Sequence, residues 1–369
     1  MVRGIDTGRG KGRQSRATSA GMEPRSRRGY TEPMSIRTRR WHMPRKLHLF
    51  VLLSLLAGLG ATWFVLRLDA ARRQHAAAEA IVKLGGRVGY DRMHRQYGTW
   101  LGKMGLAKRA WLRKLLGDDF FDSANEVVLD FQDAGDADLV HLEGWTTLKK
   151  VSLVRTKVQG QGLAHLAGLS HLETLCLDDS AVSDAGLAHL RSLARLRRLS
   201  LDRTSISDSG LEPLASLASL ESLSLNHTRV SDAGLAKLSG LVNLRWLSLY
   251  HTGVSDAGLP HLAHSANLES LLLDDTAISD AGLEQLQRLP KLRLLSLYHT
   301  AVSDAGMAHL AGLANLDTLY LDHTAISDAG LLRLRKLPRL QALFLGDTAV
   351  TEQGVGALRQ ALPLCRVSR

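Results

Sequence analysis

The sequence predicts an α/β fold. It is read as a right-handed solenoid with a parallel sheet on its concave side and short helices on its convex side, preceded by one transmembrane helix and a disordered N-terminal tail. Three observations predict it. The phrase TAISDAGL occurs at 276–283 and again at 324–331, with the near-copy TAVSDAGM midway at 300–307, so the text recurs every 24 residues. Within each copy the apolar spacing changes from alternation to a three-to-four period, a strand followed by a short helix. Upstream lies a single uninterrupted apolar run, 47–66.

Charge divides the chain before any motif does. Residues 1–46 hold 13 Lys and Arg against three Asp and Glu; residues 67–117 hold 12 against three, and 118–369 hold 22 against 30. The net charge of +11 therefore belongs to the flanks of the apolar run, while the repeats are acidic. No nucleic-acid partner is expected from such a distribution. Residues 1–46, rich in Arg, Gly and Ser, read as a disordered basic cytoplasmic tail. A start at Met34 or Met43 would leave a short basic leader instead.

The run LHLFVLLSLLAGLGATWFVL begins at Leu47 and ends at Leu66. About 20 apolar residues cross a bilayer as a helix, because a helix satisfies its own backbone polar groups. Arg37, Arg39, Arg40, Arg45 and Lys46 precede it, and Arg67, Arg72 and Arg73 follow, diluted by Asp69 and Glu79. This bias places the N-terminus in the cytoplasm and exports the repeats. A cleaved signal peptide is the competing reading; WFVL directly after the small residues Gly58, Gly60 and Ala61, and the length of the run, favour the anchor.

Residues 67–110 read as a stalk or spacer, with an Ala-rich helix stopped by Gly85 and Gly86. Residues 111–126 read as an N-terminal cap, since Trp111, Leu112, Leu115, Leu116 and Phe120 share one helical stripe. The repeats are assigned to 127–350. In 172–196, apolar residues fall at Leu172, Leu175, Leu177, Val182, Leu187, Leu190, Leu193 and Leu196; adding 24 returns Leu196, Leu199, Leu201, Ile206, Leu211, Leu214, Leu217 and Leu220. The pattern continues with Ser265 and Met307 as departures. A Thr or Ser follows each strand in register, from Thr156 to Thr348, and is expected to satisfy backbone groups at the bend. Ser or Asp of SDAG is expected to cap the helix. One strand and one helix cannot bury these leucines alone; stacked copies can. Residues 351–369 read as the C-terminal cap, with LPLCRV as a last, incomplete strand.

The pattern LxxLxLxxTxVSDAGLxxLxxL resembles the leucine-rich repeat, in the form where Thr or Ser replaces the ladder Asn and the helix opens with D-x-G-L. It is similar to repeats of F-box-associated proteins and to short 24-residue repeats of bacterial membrane-anchored envelope proteins. The resemblance covers about 127–369 and implies a leucine-rich-repeat solenoid whose work is recognition of another protein. No F-box is read upstream.

Function is sought in what the repeat leaves free. Alternation turns the residues between the strand leucines onto the concave surface. In early copies these are small, polar or charged: Lys150, Ser152, Thr174, Cys176, Arg198, Ser200, Ser222 and Ser224. From the fifth copy they become Trp246, Tyr250, Leu272, Leu294, Tyr298, Tyr320 and Phe344. Aromatic residues are 5% of the chain, so their gathering on one solvated face points to a binding surface. Trp246, Tyr250, Tyr298, Tyr320 and Phe344 are read as anchors, with Leu272 and Leu294 between them. Asp274, Asp322, His299 and His323 are read as orienting groups. His227, His251, Asp275, His299, His323 and Asp347 form a column directly after the strands; ordinary charge pairing accounts for it better than a metal, so no metal or cofactor is assigned. Cys176 and Cys365 lie at opposite ends of the array, beyond disulfide reach.

No catalytic motif emerges. The sequence thus predicts a non-catalytic recognition module binding a protein or glycan. An architectural envelope scaffold is the alternative; a ubiquitin-ligase-like adaptor and a metal-assisted hydrolase are weaker ones.

Overall fold

A computed structural model of the chain describes residues 45–90 and 123–369, with side chains from Ser54 onward. The expected tail 1–46, save its last two residues, and the cap stripe at 111–122 lie outside the described residues. Contacts divide the chain into two units, 1–58 and 59–369. Of the first, the described part is helical. The second holds every strand among the described residues.

The helix α1 runs Arg45–Lys83 and contains the expected apolar span. From Ser54 to Lys83 it is long and apolar enough to cross a membrane. Leu55, Leu59, Trp63, Phe64, Val65 and Leu66 expose their side chains. Further along, Ala78 and Ile81 enter the solenoid core. Gly85 ends the helix at φ +85, and the Gly86 N–H donates to the Ile81 carbonyl at 2.9 Å, so the expected glycine stop is present.

Among the described residues, twelve strands form one sheet in chain order. They are β1 Arg87–Tyr90, β2 Ala124–Val128, β3 Lys150–Ser152, β4 Thr174–Cys176, β5 Arg198–Ser200 and β6 Ser222–Ser224. Then come β7 Trp246–Ser248, β8 Ser270–Leu272, β9 Leu294–Ser296, β10 Thr318–Tyr320, β11 Ala342–Phe344 and β12 Arg366–Ser368. From β2 onward neighbours are parallel and pair at an offset of 24, as in Leu247↔Leu271 and Leu319↔Leu343. The last strand, Arg366–Ser368, pairs with β11; of the stretch LPLCRV read as the last strand, only Arg366 and Val367 belong to it. Strand β1, which the periodicity does not predict, pairs antiparallel with β2 and draws part of the expected spacer into the sheet.

The repeated leucines point inward. Leu175, Leu177, Val182, Leu187 and Leu190 have no exposed surface, and the same holds copy after copy in one continuous core. Burying each such side chain is worth about 1.5–3 kcal/mol, and the contacts come from adjoining coils as well as from the coil itself. The convex segments vary from 3-10 turns such as Gln161–Leu166 to α-helices such as Asp280–Leu286 and Glu352–Ala361.

The hydroxyl column lies at the bend. Each Thr or Ser from Thr156 to Thr348 donates to the carbonyl three residues back, at 2.5–2.8 Å. The SDAG Ser takes the expected N-cap position, as in Ser183, Ser207, Ser231, Ser279 and Ser327, but its hydroxyl accepts a helix N–H only in Ser279 and Ser327, at 3.4 and 3.2 Å. The shorter bonds run between coils: the Ser N–H and hydroxyl both donate to the Asp of the preceding copy, as Ser231 does to Asp208 at 2.7 and 2.6 Å.

Candidate functional site

On the concave side three of the small residues expected to face solvent, Ser152, Thr174 and Ser224, are buried, as are Ser248 and Ser296 at the places corresponding to Ser152. For the serines the cause is a second ladder. Two residues beyond the strand end stands an Asp or Asn, whose oxygen accepts the next copy's Ser hydroxyl and a backbone N–H. Asp130 takes Ser152 and the Val154 N–H at 2.7 and 3.0 Å; Asp202 takes Ser224 and the Asn226 N–H at 2.6 and 2.9 Å. Asn226 accepts from Ser248 and the Tyr250 N–H at 2.6 and 2.9 Å, so the ladder requires an acceptor oxygen and no charge.

Besides Gly346, after which Ser368 is kept, three copies give up the acceptor, at Val154, Tyr250 and Tyr298. In each of these three the next copy's Ser is also lost, replaced by Cys176, Leu272 and Tyr320. The last two exchanges open a mostly apolar groove of about 560 Å³, lined by Trp246, Tyr250, Leu272, Asp274, Leu294, Ser296, Tyr298 and Tyr320. Trp246 comes from β7, Leu272 from β8, Leu294 and Ser296 from β9, and Tyr320 from β10. Tyr298 is the most solvated of the rings, 38% exposed.

The structure thus brings together seven of the residues singled out in the sequence and adds Ser296. The other four stand beside the groove. Phe344 stacks on Tyr320 with centroids 4.3 Å apart and planes 5° apart. Asp322 accepts the Gly346 N–H at 2.8 Å. His323 packs edge-on against Tyr298 at 5.0 Å, and its Nε2 lies 3.2 Å from Asp347. His299 hydrogen-bonds through Nδ1 to Asp275, which also accepts the Tyr250 hydroxyl.

The electrostatics follow from burial. Burial pushes the Asp274 carboxyl up, against the pull of hydrogen bonds from Ser296 and the Tyr298 N–H. For Asp275 burial also raises, but the bonds from His299 and Tyr250 outweigh it and hold the carboxyl below its ordinary value. That same bond to Asp275 raises the Tyr250 hydroxyl. His227, edge-on to Tyr250 at 4.6 Å, is lowered by burial and by His251. Its Nε2 is buried with no hydrogen-bond partner, alone in this among the described residues.

The His/Asp column has a backbone cause that the sequence did not disclose. His227, His251, Asp275, His299, His323 and Asp347 all have φ between +50 and +57, as do the corresponding Arg155, Asp179 and Arg203. Asn, Asp and His tolerate this left-handed region better than most side chains. Among the described residues no group of three His, Cys, Asp or Glu side chains gathers closely enough to hold a metal.

Two family models match within the coils, both described as leucine rich repeat, at 266–326 and at 216–239. No curated protein matches the chain. Among solved structures, a leucine-rich-repeat protein of Leptospira interrogans is 19% identical with a TM-score of 0.49; the alignment covers 63% of this chain and 57% of that one. An internalin of Listeria monocytogenes is 19% identical with a TM-score of 0.46, covering 71% of this chain and 94% of its own. Internalin C2 of the same organism is 24% identical with a TM-score of 0.46, covering 60% and 92%. Both family matches fall inside the stacked coils, and the chain is a leucine-rich repeat protein.

Proposed function

We propose that the chain is a membrane-anchored recognition module, non-catalytic, that binds a protein or glycan partner on its concave face between the fifth and ninth copies. One observation carries the reading. Trp246, Tyr250, Tyr298 and Tyr320 surround a solvated groove at the place where the sheet abandons its acceptor ladder. Large aromatic side chains on a solvated surface cost solubility and supply binding energy, and a groove of this size accommodates a few side chains of a partner.

The span at 47–66 is the anchor in this reading. The basic excess before it keeps the N-terminus in the cytoplasm and sets the repeats on the periplasmic or extracellular side. The test is photo-crosslinking in intact cells, with a photoreactive amino acid replacing Ser270 between Trp246 and Leu294. A discrete adduct that disappears in a Trp246→Ala/Tyr320→Ala background is the expected result. Adducts that persist in that background, or none above a probe at exposed Ala277, would sink the reading and favour a scaffold that packs through other surfaces.

A further inference from the structure

The charges on and just past the strands around the groove are all of one sign, and the cations one residue before them, Arg245 and Arg293, are paired with Glu269 and Asp317 at 2.6 and 2.7 Å. Along the concave face from β7 to β11, including the residues just past each strand, the formal charges are Asp274, Asp275, Asp322 and Asp347; neither Lys nor Arg occurs there. The next cation along the face, Arg366, follows on β12. The first copies differ. There Lys150 pairs with Glu126 at 2.8 Å, Arg155 and Arg203 flank Asp179 at 3.5 and 3.7 Å, and Arg198 stands beside Thr174. Carboxylates are offset internally at one end of the face and left without a cationic partner from Lys or Arg at the other.

Nor does the fold require the charge at Asp274. Asn226 fills the equivalent place two copies earlier, accepting likewise from the next copy's Ser hydroxyl and from a backbone N–H, the latter at 2.9 Å in both. In this column Tyr250, Asp274, Tyr298 and Asp322 follow one another on successive copies, about 4.8 Å apart by strand spacing. Tyr298, the ring most open to solvent, therefore lies between two carboxylates. A ring face flanked in this way attracts a cation by its quadrupole as well as by charge.

We propose that the groove receives a polypeptide segment carrying a Lys or Arg beside apolar side chains, the cation seated over Tyr298 between Asp274 and Asp322 and the apolar groups against Trp246, Leu272 and Leu294. The proposal rests on the reading of the groove as a binding site and adds the chemistry of the occupant. Neutral and acidic sugars offer no cation to this arrangement, and acidic segments are repelled.

A random twelve-residue phage library panned on the full chain in detergent micelles tests it, followed by titration of the enriched peptides against two variants. Trp246→Ala/Tyr298→Ala removes the groove walls. Asp274→Asn/Asp322→Asn removes charge and keeps the acceptor oxygens, as Asn226 does. The expected result is enrichment of Lys or Arg next to aromatic or aliphatic residues, with affinity abolished in the first variant. In the second it falls by about tenfold, and by less at high salt. Groove-dependent peptides without a cation, or indifferent to the second variant, overturn the proposal and leave the groove as a binding site. A glycan-array signal lost in the first variant, with no peptide so affected, overturns the polypeptide and keeps the site. Peptides that bind the first variant as well as the wild type overturn both.

Discussion

Asp304 accepts both the N–H and the hydroxyl of Ser327, one coil on, at 2.7 and 2.5 Å. The same pair recurs from Asp184 with Ser207 to Asp328 with Thr351. The carboxylate also occupies the space beside Gly330, where a Cβ would lie 2.2 Å from Asp304 Oδ1 and 3.0 Å from its Cα. Ser, Asp and Gly of SDAG are therefore one device: the Asp ties two coils together, the Ser supplies both donors, and the Gly of the next copy leaves room for the Asp.

This device makes a sign prediction. Gly-to-Ala in a helix ordinarily stabilises, by about 0.8–1 kcal/mol. Gly330→Ala is expected to destabilise instead, because the new Cβ displaces Asp304 from Ser327. Asp304→Ala alone should cost about 1–3 kcal/mol by leaving the Ser327 donors unpaired. With Asp304 already gone, Gly330→Ala should cost clearly less than it does alone. Urea denaturation of the four proteins measures the coupling; additivity within about 0.3–0.5 kcal/mol would refute the mechanism.

The same ladder explains what could and could not be read from the sequence. Leucines at a 24-residue interval fix stacked coils, and alternation then places Trp246, Tyr298 and Tyr320 on one face; both follow from periodicity alone. The acceptor ladder was also written there, as an Asp or Asn followed 22 residues later by Ser at Asp178 and Ser200, Asp202 and Ser224, and Asn226 and Ser248. Its breaks at Tyr250 and Tyr298 mark the groove. The left-handed backbone after each strand was hidden, because Phe131, Arg155 and Arg203 occupy it as well as His and Asp. Strand β1 was hidden too: RVGY is short and its partner comes from the coil, a pairing no local pattern encodes.

Asp274 gives a pH dependence whose sign is set by burial. Its pKa in the folded chain lies above the unfolded value, so the native state binds the proton more tightly. Stability then rises as pH falls through the folded pKa, and the gain is complete below the unfolded pKa. Asp178, also raised by burial, acts in the same direction; Asp275, held low, acts oppositely and loses its contribution as pH falls through its own folded value. Asp274→Asn removes only the first. The stability of the wild type relative to this variant is expected to grow between pH 7 and about 4, the usual carboxylate range. Urea midpoints for the pair that stay parallel over that interval would show that the carboxyl is not penalised by burial.

Ile81 joins the long helix to the solenoid. It has no exposed surface, and a Cβ on Gly86 would fall 2.9 Å from its Cγ2 and 2.6 Å from Leu129 Cδ2, so helix end, glycine stop and first coil are packed together. A solenoid must cover the leucines of its terminal coils, and among the described residues Ala78 and Ile81 of the helix contribute to that cover, on the same helix that exposes Leu59, Trp63, Val65 and Leu66. Ile81→Ala should therefore cost about 2–5 kcal/mol. In a linear array the loss acts on the neighbouring coils: amide exchange should accelerate through 124–153 and stay unchanged in β10 to β12. Hydrogen exchange read by mass spectrometry distinguishes this from a global effect. Uniform acceleration along the chain would mean that the coils unfold as one unit, and no acceleration would mean that the helix end is not the cap.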